Sequence, residues 1–305
     1  MFIEFKWKQS DNPFCDVYDV QNPSSNNSNT VTSFLRNANT AKDTLGQITA
    51  YAAAHLGSQF RTHIYSILIV KDTARLLRWD RSGTIVSEAI NYNNSHHLAE
   101  FFRRYSKASP EMRGKDQSVL APTLEEETAA RRALNLDNIV SLVKLTIPNT
   151  DGSPLYYIAA TPRVTPYTPP GRATRAFPAY DVLRRVPVFM KDSWRVNMPG
   201  IWPEGLVYKA LKKAGVRNIP DCLSSGDIST DHYHTTKTCT YIRAPWACHS
   251  DAHFVLHQHH RLALDIIGCS LTAFQSSYEM VSVVRDAIIG ELLWMQLRKK
   301  VDCLL

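Results

Sequence analysis

Hydrophobic positions in the first half of the chain change from helical spacing to continuous runs. After a lead-in of about forty residues, apolar side chains recur at three- and four-residue intervals, which predicts an amphipathic helix over 41–56 with Gly57 as its C-cap. The apolar face of this helix comprises Leu45, Ile48, Ala52 and Leu56.

Apolar runs and turn signals then predict strands at 62–70, 74–79 and 84–89, a helix at 95–105, and strands at 139–147 and 156–160. Thr123 and Glu126 form a capping-box pattern that opens a helix ending at Leu134.

The second half repeats this mixture of patterns. Strands are predicted at 172–180, 186–191, 222–228, 235–242 and 260–267, with a helix at 203–214 closed by Gly215. A second capping-box pattern at Ser276 predicts a long C-terminal helix. Strands and helices of these lengths indicate an α+β fold.

The composition of the chain divides it into four segments. Residues 1–40, rich in Asn, Ser, Thr and Pro, are expected to form a flexible lead-in, and 41–161 a compact α+β region. A proline-rich linker at 162–170 separates this region from a second unit, 171–305, because proline removes backbone donors and stiffens linkers.

Composition and charge narrow the function classes. The 305 residues are 44% hydrophobic and 21% charged, so the chain can bury a core. The net charge of +7 favours anionic partners, but no basic cluster exceeds three residues, and a nucleic-acid interface is not expected.

Six cysteines without regular spacing, no apolar leader and no apolar run of membrane-spanning length favour a cytoplasmic or nuclear location with reduced thiols.

The candidate chemistry begins with a lysine at the end of an apolar strand. Lys191 follows the run 186–190, and Glu204 lies in the next predicted helix. Protein kinases hold ATP phosphates with such a strand lysine, which a helix glutamate orients. The loop before this unit contains one glycine, Gly171, with Ala173 where a second glycine would be useful for phosphate contact.

Other catalytic patterns are missing from the sequence. There is no H-R-D-x-x-x-x-N, D-F-G, G-x-G-x-x-G, Walker A or G-x-S-x-G string, and neither Asp227 nor Asp265 has the context of a catalytic base. No catalytic residue and no metal ligand is therefore assigned.

A dense group of histidines near residue 250 leaves two interpretations. Together with Cys239 they could bind zinc, but incomplete ligand spacing favours a polar loop beside a strand. The group comprises Cys248, His249, His253, His257, His259 and His260.

Several strings together resemble the fungal-type protein kinase family over most of residues 42–290. The most specific are the segments 78–83 (R-W-D-R-S-G) and 191–195 (K-D-S-W-R), supported by 171–175, 204–205 and 259–261. Segments 259–268 and 271–274 look like the hinge of the family.

The resemblance implies a protein-kinase-like N-lobe with the hinge and first C-lobe helices, preceded by a family-specific α+β region. It also implies ATP- and magnesium-dependent Ser/Thr phosphotransfer, with Lys191 contacting phosphate, Glu204 orienting it and Gly171 in the phosphate loop. The C-terminal helix should lead into an H-R-D-I-S-x-x-N loop, but a basic tail follows instead. We expect a chain truncated before the catalytic loop, by a shifted frame, a retained intron or gene decay.

Two functional classes remain open. The chain is an inactive kinase-family protein, or it is a pseudokinase-like interaction module that binds a protein partner through the exposed face of its C-terminal helix.

Overall fold

The structure, a computed structural model, describes residues 1–16, 34–149, 151–161, 168–228, 233–244, 246–247 and 254–302. Helix makes up 30% and strand 31%, in two sheets, which confirms the predicted α+β class.

The helices of the described residues are α1 (Asn39–Ser58), α2 (His97–Lys107), α3 (Leu124–Leu134), α4 (Glu204–Lys213) and α5 (Ser277–Asp302). The strands are β1 (Phe2–Lys6), β2 (Ile64–Val70), β3 (Thr73–Asp80), β4 (Gly83–Val86), β5 (Ile90–Asn91), β6 (Val119–Leu120), β7 (Leu142–Pro148), β8 (Pro154–Ala160), β9 (Arg175–Asp181), β10 (Val186–Val196), β11 (Cys222–Asp227) and β12 (His257–Leu264).

The first sheet is built from the N-terminal strands. Its order is β1-β2-β3-β4, with β5 also paired to β3, and β1 runs parallel to β2. The apolar face of α1 packs into this core, where Ile48, Ala52 and Leu56 meet Leu68 and Trp79. The predicted amphipathic helix is confirmed, but it continues through Gly57 to a C-cap at Gln59.

The lead-in predicted for residues 1–40 is wrong in part. Phe2–Lys6 form β1, and Phe14 is 2% exposed in the same core as α1. The neighbouring Asn- and Ser-rich stretch hid these short apolar segments from compositional reasoning. Residues 17–33 of the lead-in lie outside the described residues.

The second sheet crosses the predicted linker. Its order is β11-β12-β10-β9-β8-β7-β6, and all neighbours are antiparallel. β8 and β9 pair with each other although they lie on opposite sides of 162–170, so both predicted units contribute strands to one sheet. Of the linker, residues 162–167 lie outside the described part of the chain.

Each face of the second sheet has its own packing. α3 begins at the predicted Thr123–Glu126 capping box and places Ala130 against Ile158 and Tyr180 on one face. The other face carries an apolar cluster, against which Phe60 packs from the segment before β2. Its buried members are Leu145, Ile147, Tyr157, Ala159, Ala179, Val188, Met190 and Ala263.

Two strand predictions need correction. The segment 235–242, predicted as a strand because of its threonines, makes one isolated bridge between Thr235 and Gln258 and then forms the 3-10 helix Thr238–Tyr241. β12 begins at His257, so His257, His259 and His260 belong to a buried strand and not to the polar loop that was favoured. Cys248, His249 and His253 lie outside the described residues.

None of the helices among the described residues combines the length and the apolar character that crossing a membrane requires.

Candidate nucleotide-binding site

Lys191 lies near the middle of β10, a strand with partners on both sides. It pairs with Ala176 of β9 and Leu262 of β12. Its Nζ is 2.5 Å from Oε1 of Glu204, the first residue of α4. Both side chains are about one quarter exposed, at 24% and 25%, so the pair is held by the fold but open to a ligand.

The position of Glu204 depends on the close contact between α4 and β11. A carboxylate in the first helical turn is favoured by the helix dipole. The next residue is Gly205, where a Cβ atom would lie 1.9 Å from Oγ of Ser225. Ser225 pairs with Leu262, which also pairs with Lys191, so α4 packs on the face of the sheet to which Lys191 points.

The loop before β9 reaches the same ion pair. Gly171 has φ +111° and donates its backbone N–H to the carbonyl of Arg81 at 2.8 Å. The carbonyl of Arg172 accepts from the Trp194 N–H at 2.7 Å, and its guanidinium is 3.9 Å from Oε2 of Glu204. The structure therefore brings the loop of Gly171 close to Lys191 and Glu204.

Ala173 departs from the ordinary backbone preferences of alanine. Its φ is +43°, in the left-handed region where glycine is favoured. This is the position where the sequence suggested a missing second glycine, and the backbone conformation supports that reading.

Behind Lys191, the next residue of β10 points to the opposite face and into a buried charge network. Oδ1 of Asp192 accepts from Nε2 of His259 at 2.6 Å and from Nε of Arg261 at 2.8 Å. Arg261 is fully buried, and its Nη2 donates to Oδ2 of Asp116 at 3.0 Å. The residue that follows Lys191 in β10 is thus fixed by buried charges on the opposite face of the sheet.

The electrostatics of this network keep its carboxylates ionised. Burial alone would raise the pKa of Asp192, but His259 and Arg261 outweigh it and hold that pKa well below its ordinary range. Asp116 behaves in the same way: burial raises its pKa, Arg261 and then the histidines lower it, and the net shift is downward.

The R-W-D-R-S-G segment joins the two sheets. Oδ2 of Asp80 accepts backbone N–H groups from Lys237 at 2.8 Å and Thr238 at 3.0 Å. Arg81 donates to the carbonyls of Pro169 and Leu56, both at 2.9 Å. Burial, with Arg175 nearby, lowers the pKa of Arg81 to about 9. These residues hold segments of the chain that are distant in sequence together.

The aspartates that were rejected as catalytic bases are occupied by other contacts. Asp227 accepts two hydrogen bonds from Arg195, at 2.8 and 2.6 Å, and one from His260 at 2.8 Å. Oδ1 of Asp265 accepts the Asp221 backbone N–H at 2.7 Å. Asp227 thus belongs to an ion-pair cluster, and Asp265 holds a backbone N–H group.

Sequence reasoning missed the buried network. Asp116 and Arg261 stood in strings used for the resemblance, but without an assigned role, and His234 was not singled out at all. The available signal was the concentration of charged residues in β12, because a charged residue within a strand pattern needs a partner when it is buried.

A strand lysine paired with a first-turn glutamate, beside a loop containing glycine, is the arrangement that protein kinases use on ATP phosphates. The family model described as fungal protein kinase matches residues 16–300, and the chain belongs to this family. No curated protein and no solved structure matches the chain.

Proposed function

We propose that Lys191, Glu204 and the loop of Gly171 bind the phosphates of ATP. The observation that carries this proposal is the 2.5 Å contact between Lys191 and Glu204. The carboxylate holds the ammonium group at the surface of the sheet, where a phosphate oxygen can accept from its remaining protons.

The residues fit the nucleotide phosphates better than they fit magnesium. Kinases hold magnesium with the aspartate of D-F-G and the asparagine of the catalytic loop. Neither string occurs in the 305 residues. Magnesium supplies charge neutralisation to ATP in solution, and no ligand for it is assigned on this chain.

Phosphoryl transfer requires a positioned base and metal-bound phosphates. Since the strings that supply both are missing from this sequence, we propose that these 305 residues by themselves bind ATP without transferring phosphate, as an inactive member of the family.

Lys191→Ala should weaken Mg-ATP binding by about 10- to 100-fold, because one charge-assisted hydrogen bond contributes about 1.5–3 kcal/mol. Displacement of a fluorescent ATP analogue measures the affinity. Lys212→Ala is the matched control, because Lys212 forms a comparable ion pair with Asp221 at 2.5 Å from the far end of α4.

Equal affinity of Lys191→Ala and the unmodified chain would reject the phosphate site. Label transferred from γ-labelled ATP to protein, and lost in Lys191→Ala, would instead reject the proposed inactivity.

A second function, as an interaction module, is supported by α5. Apolar side chains at helical spacing are exposed along this helix, while Ala287 and Gly290 line a groove with Val207 and Leu211 of α4. The exposed stripe comprises Tyr278 (82%), Val281 (61%), Val284 (41%) and Ile288 (53%). We propose that a protein partner covers this stripe.

The double variant Val281→Asp/Ile288→Asp should reduce association through the stripe, because the new charges oppose its burial against another protein surface. Light scattering after size-exclusion chromatography measures the assembly state. Leu183→Asp, at an exposed apolar site in the β9–β10 turn, is the control. If the unmodified chain is a cooperatively folded, monodisperse monomer with the same assembly state as the double variant, this role is contradicted.

A further inference from the structure

Three buried side chains converge on the face of the second sheet opposite Lys191. They are Asp116, from the segment before β6, His234, from the segment before the isolated bridge at Thr235, and His259 of β12. All three are at most 4% exposed, and one potential ligand atom from each lies within 4.8 Å of the others.

The distances among these atoms are close to those of a coordination shell. Nδ1 of His234 and Nδ1 of His259 are 3.0 Å apart. Oδ2 of Asp116 is 3.8 Å from Nδ1 of His259, while its Oδ1 lies 3.7 Å from the other ring nitrogen of His234, Nε2. Ligands at about 2.0–2.2 Å from a tetrahedral zinc ion are separated by a little over 3 Å, so small movements would complete the geometry.

The orientation of His259 is already fixed for metal binding. Because the ionised carboxylate of Asp192 can only accept, Nε2 of His259 carries the proton in their 2.6 Å contact. The ring of Trp194 stacks on His259 at 4.8 Å and 3°. Nδ1 is then the ligand atom, and a carboxylate on the second ring nitrogen is typical of histidines that bind metals.

We propose that Asp116, His234 and His259 bind a zinc ion, or another divalent first-row transition metal, that ties the segments before β6 and before Thr235 to β12. Imidazole and carboxylate ligands suit this class of ion. The metal replaces any proton shared between the two Nδ1 atoms, and that proton goes to solvent. Since the three ligands come from segments far apart in sequence, the ion stabilises the folded chain.

The test uses the full 305-residue chain, loaded with Zn²⁺ and, separately, with Co²⁺. Elemental analysis after desalting should give about one zinc per chain. The Co²⁺ protein should show the visible absorption of cobalt bound by nitrogen and oxygen ligands. A chelator should lower the melting temperature, and added Zn²⁺ should restore it.

Variants distinguish metal bound at the buried site from metal bound by exposed side chains. His234→Ala and Asp116→Asn should lose the retained metal and the cobalt spectrum, whereas His97→Ala, which removes an exposed histidine, should keep both. The cobalt spectrum of the unmodified chain decides the ligand class even if a variant fails to fold.

Three results would overturn the proposal. A sulfur-to-cobalt absorption band would assign the metal to cysteine thiolates. Metal kept by His234→Ala but lost from His97→Ala would show an adventitious ion only. No retained metal, together with a melting temperature that chelator leaves unchanged, would show that the two imidazoles share a proton instead.

Discussion

Arg261→Leu should lower the free energy of unfolding by about 3–5 kcal/mol, which is the usual cost of removing one partner from a buried ion pair. Arg261 has no exposed surface and donates to Asp192 at 2.8 Å and to Asp116 at 3.0 Å. Its loss leaves both carboxylates buried without this guanidinium. Urea denaturation followed by circular dichroism measures the change.

Arg195→Leu is the matched control, since Arg195 of β10 donates to Asp227 of β11 across the intervening strand β12. Asp227 is 37% exposed, so water can replace the lost contact and the cost should be about 1 kcal/mol or less. The double variant Arg261→Leu/Asp192→Asn should recover part of the stability, because it removes one uncompensated charge. Equal costs for Arg261→Leu and Arg195→Leu would show that burial does not govern this network.

The part of the fold that sequence predicted well is local. The capping box of α3 appears at Thr123 and Glu126 as expected, because both partners lie within one helical turn. The pairing of Lys191 with Glu204 was also predicted, because only a strand end, a short connection and the first turn of a helix separate the two residues. Their contact confirms the proximity, while their role towards ATP remains a prediction.

β12 shows why the rest could not be predicted. Its sequence H-Q-H-H-R-L-A-L does not alternate apolar and polar residues, yet every residue is buried. The strand lies between β11 and β10, and three of its side chains, those of His259, His260 and Arg261, find their partners in Asp116, Asp192 and Asp227. Those partners are 33 to 145 residues away, so no local pattern reports them.

β1 illustrates a second limit of sequence reasoning. Five residues, none of them fully buried, become a strand because β2 offers a free edge, and this parallel pairing brings together Phe2 and Ser66. Composition near the N-terminus could not reveal the distant edge.

Gly205→Ala should lower the free energy of unfolding by about 1–3 kcal/mol. It should also weaken Mg-ATP binding as strongly as Glu204→Gln, a variant that removes the carboxylate which holds Lys191. The new Cβ atom would lie 2.3 Å from Cβ of Ser225, which no rotamer change can relieve. The first turn of α4 must move away from β11, and Glu204 then leaves Lys191. Denaturation and ATP-analogue displacement measure the two effects.

Gly46→Ala separates this contact from helix propensity. Gly46 lies inside α1 with no atom within 4 Å of the position of its Cβ, so alanine there should stabilise the chain by about 0.5–1 kcal/mol. Gly205→Ala/Ser225→Gly removes the clashing Cβ atom and should restore ATP affinity. If Gly205→Ala binds ATP like the unmodified chain, the position of α4 does not control the site. If the double variant fails to recover affinity while folding normally, the loss has a cause other than the contact with Ser225.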